Sequence, residues 1–108
     1  MFKSSIIESS LTDKSFLDSV NILNTRRAGS WILHDVLIEK EQIELISKSL
    51  VEGPWYVHAW EEGKDDVCVI YKNKIFWIKY SDKSTWSDAV EYGKSIGIPE
   101  EQLDFPIS

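Results

Sequence analysis

A chain of 108 residues is long enough for one hydrophobic core and too short for two, so a single domain over 1–108 is expected. The composition, 43% apolar and 28% charged with little Gly or Pro, excludes a disordered or repetitive chain. Eighteen acidic residues against 12 basic ones give a net charge of −6, and Arg26-Arg27 is the only adjacent basic pair. Nucleic acid is therefore not an expected partner, because affinity for it comes from clustered cations.

The N-terminal residues lack an apolar segment of signal-peptide length, and no apolar run reaches membrane-spanning length. With Cys68 alone, no intramolecular disulfide can form. The expected address is a reducing, cytoplasmic one, away from membranes.

Residues 2–9 read as a short extended segment. Thr12 then suits a helix N-cap, with Asp13 behind it, and Phe16, Val20 and Leu23 fall at i, i+4 and i+7. With Arg26 and Arg27 near the carbonyl end and Gly29 as a left-handed stop, the pattern predicts a helix over 12–27.

Trp31 to Ile38 is apolar on both parities, as in a strand buried on both faces. Glu39 to Leu50 changes to helical period through Ile43, Ile46 and Leu50, and Gly53-Pro54 breaks the pattern.

Trp55 to Tyr80 holds three of the five Trp and three of the four Tyr. It reads as a meander of three strands, Trp55 to Trp60, Val67 to Tyr71 and Ile75 to Tyr80. The turns fall at Glu61 to Asp65 and at Lys72-Asn73-Lys74, where Asn tolerates positive φ. A two-residue turn at Lys72-Asn73 puts Val67, Val69, Tyr71, Phe76, Ile78 and Tyr80 on one face, with Cys68, Ile70, Ile75 and Trp77 on the other. Both faces are apolar.

Ser84 or Thr85 is the expected cap of a last helix with Trp86, Ala89, Val90, Gly93 and Ile96 inward. Gly93 there implies a close approach of backbone to sheet. Gly97 suits the C-cap, Pro99 the first position of a closing turn, and Leu103 and Phe105 are expected to fold back onto the core. The expected fold is α+β, in the order α-β-α-β-β-β-α, with a mainly antiparallel four-stranded sheet and helices largely on one face.

No phosphate-binding glycine loop, nucleophile elbow or metal-ligand spacing is present. No cofactor, metal or catalytic residue is therefore assigned. His34 and His58 both fall in strands, and Cys68 lies in the strand next to His58, either beside it or on the other face. The acids Glu61, Glu62, Asp65 and Asp66 flank one hairpin and read as a solvated turn.

What remains is the aromatic surplus, since indoles and phenols bury large areas at low entropic cost. The expected binding residues are Trp31, Trp55, His58, Trp60 and Trp77. The expected function is that of a small acidic non-enzymatic binding or regulatory protein, meeting a protein partner or a second copy through its aromatic sheet surface. The competing readings are a small-ligand protein or enzyme using His34 or His58 in a pocket, and a structural subunit of a larger assembly.

Overall fold

The computed structural model describes residues 1–105. Its centre is a six-stranded antiparallel sheet in the order β2-β3-β1-β4-β5-β6. The strands are β1 Phe2–Ile7, β2 Asn21–Ala28, β3 Trp31–Ile38, β4 Val57–Trp60, β5 Asp66–Tyr71 and β6 Lys74–Lys79, with helices α1 Lys40–Ser49 and α2 Ser87–Ser95. The α+β class and the antiparallel sheet agree with the sequence reading; the strand count and the element order do not.

The difference arises at the N-terminus. The expected helix over 12–27 is instead a 3₁₀ turn, Lys14–Ser19, followed by strand β2. Asp13, not Thr12, caps the turn, its carboxylate accepting from the Ser15 amide at 2.9 Å, while the Thr12 hydroxyl donates to the Ser49 carbonyl at the end of α1. Phe16 and Leu17 do point inward, but in a turn; Leu23, the supposed third member of the helical stripe, is 55% exposed. Gly29 has positive φ, as a helix stop would, yet it serves the two-residue loop between paired Ala28 and Trp31. The same glycine suits either role, and strand pairing decides it.

β1 lies in the middle of the sheet, paired with β3 on one side and β4 on the other. Because both neighbours run antiparallel to it, β3 and β4 point the same way, and α1 is the crossover of a split β-α-β unit. β4, β5 and β6 then form the expected meander. The Tyr71–Lys74 pair closes the turn on Lys72-Asn73, with Asn73 at φ 59°, and the face assignments follow the two-residue register.

Helices cover both faces, not one. α1 and the 3₁₀ segment pack on the face carrying Phe2, Ile6, Val36, Ile38, Ala59, Cys68 and Ile70. α2 and the segment through Ile98, Leu103 and Phe105 pack on the face carrying Trp60, Val67, Val69, Tyr71 and Ile78. The two apolar faces of the meander are thus each a core wall. β5 is buried from Val67 to Tyr71 because it has a helix on either side.

Short polar contacts seat the helices. Glu39 and Gln42 form a capping box at the start of α1. The buried Ser47 hydroxyl donates to the Tyr71 carbonyl at 2.6 Å, and the Tyr71 hydroxyl donates to the Ala89 carbonyl at 2.6 Å. One β5 residue therefore ties the sheet to both helices. Beyond β6, Asp82 caps a 3₁₀ turn, Lys83–Trp86, that leads into α2 at Ser87, so Ser84 and Thr85 lie inside the turn and do not cap a helix. Pro99 is the N-cap of the closing turn, one position earlier than expected.

Candidate docking surface

The two helices differ in reach. On the α2 side, burial stops at β4, so among the described residues no helix packs over the outer half of that face, above β1, β3 and β2. β1 alternates buried and half-buried along its whole length, with Lys3, Ser5 and Ile7 on the open side. In β3 the odd positions Leu33, Asp35 and Leu37 are half-buried while His34, Val36 and Ile38 are buried. β3 is therefore not buried on both faces, as its sequence suggested; one face is only half-covered.

β2 is the sheet edge, and all eight of its residues are exposed. A register shift between Ile22 and Asn24 leaves Leu23 as the unpaired bulge residue. Ile22 is 40% exposed and Trp31, opposite the end of β2, is 44% exposed. Trp55, half-buried in the loop before β4, approaches Trp31 with ring centroids 6.0 Å apart. The β2–β3 hairpin thus carries three of the chain's exposed large apolar side chains.

A polar anchor holds the hairpin to the sheet centre. Arg26 donates to both oxygens of Asp35, at 3.2 and 3.1 Å, and the Ser5 hydroxyl donates to Asp35 at 2.6 Å. The guanidinium, then the serine hydroxyl, hold the Asp35 carboxyl below its ordinary pKa despite the opposing effect of burial. Arg27 makes no ion pair among the described residues, so the edge of an acidic protein presents a cation.

The five expected binding residues do not form one surface. Trp60 is buried at 9% exposure and stacks on His58, centroids 5.1 Å apart, so it is a core wall and not an accessible anchor. Trp31 and Trp55 meet at the open end of the β2–β3 hairpin. Trp77 is 46% exposed but lies on the α1 side of β6, the opposite edge and the opposite face.

The histidines also diverge. His34 shares the α1-side face with its partner Ile6, whereas His58 shares the α2-side face with Trp60. His34 is 8% exposed, with Nδ1 at 2.9 Å from the Thr25 hydroxyl and Nε2 at 3.1 Å from the Glu8 carboxylate. This hydroxyl, imidazole and carboxylate line joins β2, β3 and the turn after β1. Both imidazole nitrogens are thus engaged by neighbouring side chains, and His34 is buried within this line.

Cys68 pairs with Ala59, one residue on from His58, and so faces the α1 core away from that ring. Among the described residues no three His, Cys, Asp or Glu side chains gather where they could hold a metal ion. Burial pushes the Cys68 thiol up to about 12. The native protein is expected to stay unlabelled by a thiol-specific disulfide reagent at pH 8 and to react at once in denaturant; rapid native labelling would contradict a sealed site.

The hairpin acids serve as ties. Glu61 meets the Met1 amino group at 3.2 Å, Glu62 meets Lys3 at 3.4 Å, and Asp66 meets Lys79. Asp65 accepts from both the hydroxyl and the amide of Ser81, which lower its pKa. Among the described residues no helix is long and apolar enough to cross a membrane.

No protein-family model, curated protein or solved structure matches this chain. Sequence reasoning missed Ile22, Leu23, Arg26 and Arg27 as surface residues, because it enclosed them in a helix. The available signal was the β-favouring Ile22 and Thr25 ahead of Gly29-Ser30, a two-residue loop.

Proposed function

We propose that the chain is a non-enzymatic binding protein that meets a protein partner or a second copy of itself through the β2–β3 hairpin. The observation that carries this reading is the edge strand, exposed along all eight residues beside the open half of the sheet. Such an edge presents unpaired backbone groups to another chain, and main-chain pairing gives affinity while flanking side chains give choice. The Leu23 bulge and the two arginines limit indiscriminate pairing, and Ile22, Leu23 and Trp31 supply apolar anchors.

The divergence of His34 and His58 and the engagement of both His34 nitrogens favour this reading over a histidine-based pocket. Leu23→Lys with Trp31→Ala is expected to leave stability within about 0.5 kcal/mol, because both side chains are exposed. Binding is expected to fall by about 2 kcal/mol or more, as for loss of an interface anchor. Quantitative co-purification from the source cells, with light scattering on the purified chain, reads both terms. Unchanged partner recovery and unchanged mass in the double variant would reject the hairpin as the docking surface.

A further inference from the structure

β6 forms the sheet edge opposite β2, and on its α1 side Trp77 presents nearly half its surface to solvent. Phe2 flanks it, with ring centroids 5.9 Å apart and planes at 59°. The two rings lie in an open groove of about 540 Å³, within the usual range of ligand sites. Glu39 and Glu41, at the start of α1, line it together with Glu61 and Asp66, from the ends of the β4–β5 hairpin. Lys40, Lys64 and Met1 also line it, and Glu61 and Asp66 are already paired with the Met1 amino group and Lys79, so summed charge does not define the site.

The ring does. An indole face attracts a cation through its quadrupole, and the fold already satisfies that attraction internally: Lys40 Nζ lies 5.7 Å from the Trp77 centroid. Glu41 makes no ion pair among the described residues and stands beside that ammonium in sequence.

We propose that this groove binds a Lys or Arg side chain from a basic segment of a protein partner, which takes the place of Lys40 on Trp77 beside the carboxylate of Glu41. A cation on an open ring strengthens binding only about two- to fivefold. Two rings do not enclose a free ammonium, so the remaining affinity must come from residues on either side of the cation, which only a peptide chain supplies. The site is separate in face and edge from the β2–β3 hairpin and goes beyond the function proposed above.

Calorimetric titration with a hexa-arginine peptide at physiological ionic strength tests it, with urea midpoints verifying the fold of each variant. Saturable binding is expected, weakened about fivefold by Trp77→Ala and largely kept by Trp77→Phe. Lys40→Met should tighten binding several-fold. Lys64→Met makes the same charge change without touching the ring and should tighten it less. Absence of saturable binding, indifference to Trp77→Ala, or equal effects of the two lysine variants would overturn the proposal. Tetramethylammonium binding as tightly as the peptide would assign the groove to a free quaternary amine and also overturn it.

Discussion

Phe105→Ala is expected to cost about 3–5 kcal/mol, the usual penalty for deleting a fully buried aromatic ring. Phe105 is 0% exposed and sits among three aromatic neighbours, 5.5 Å from Tyr56, 5.2 Å from Trp86 and 6.3 Å from His58. Its removal opens a cavity that none of these can fill, since Trp86 is fixed by its indole N–H donating to the Lys79 carbonyl at 2.8 Å. Tyr56 is similarly held, its hydroxyl donating to the Gln102 carbonyl. A domain of this size has roughly 5–15 kcal/mol in all, so the variant should lose a large share of its stability and melt roughly 15 °C lower. Urea unfolding would show the midpoint fall with little change in slope. A loss under about 1 kcal/mol would mean that the last described segment does not seal the α2-side core.

The second large effect is expected at Gly93. On helix propensity alone, Gly93→Ala inside α2 should stabilise by about 1 kcal/mol. A Cβ built there, however, would lie 2.7 Å from the Tyr71 hydroxyl oxygen and 2.7 Å from Leu103 Cδ2. Tyr71 cannot withdraw, because it is 0% exposed and its hydroxyl is bonded to the Ala89 carbonyl one turn earlier in the same helix. Overpacking of this kind costs about 1–3 kcal/mol, so the sign should reverse: Gly93→Ala is expected to destabilise by about 1 kcal/mol and Gly93→Val by about 3 kcal/mol. Tyr71→Phe removes one of the two clashing atoms, and combining it with Gly93→Ala should recover part of the loss in a double-mutant cycle. A stabilised Gly93→Ala protein would show that α2 lies farther from β5 than the structure has it.

The close approach at Gly93 was legible because a glycine among Ala89, Val90 and Ile96 has no other reason to face inward. The meander was legible for a similar reason. β5 has helices on both sides, its residues from Val67 to Tyr71 are all buried, and Asn73 marks its turn. Strong burial imposes a strong pattern.

β1 was only dimly readable although it occupies the sheet centre. Its inward positions are Phe2, Ser4 and Ile6, and Ser4 is 2% exposed because its hydroxyl is satisfied by the His58 carbonyl at 2.8 Å. A polar residue at a buried position broke the alternation that would have named the strand. β2 failed for the opposite reason. With no residue buried, nothing constrained its pattern, and the accidental spacing of Phe16, Val20 and Leu23 imitated a helix face.

Missing two strands also misplaced the candidate surface. Four strands under helices on one side imply a bare aromatic face, whereas six strands allow a helix on each side. The surplus rings of the meander then become two cores, and the open area moves outward to β2 and β3. Trp31 and Trp77 stay exposed because they lie near sheet margins, where helix cover is thin. Trp60, on β4 at the margin of the α2-side core, does not.

β2 is an exposed edge within the protomer, and we propose it as the place where another chain pairs. Amide hydrogen exchange across Asn21–Ala28, followed in dilute protein shown by light scattering to be monomeric and again in the purified complex, addresses both halves at once. Outward-facing β2 amides are expected to exchange as fast as loop amides when the chain is alone and to slow by orders of magnitude in the complex. Protection of β2 in the monomer equal to that of β1 and β4, or a complex that slows α2 and leaves β2 unchanged, would contradict it.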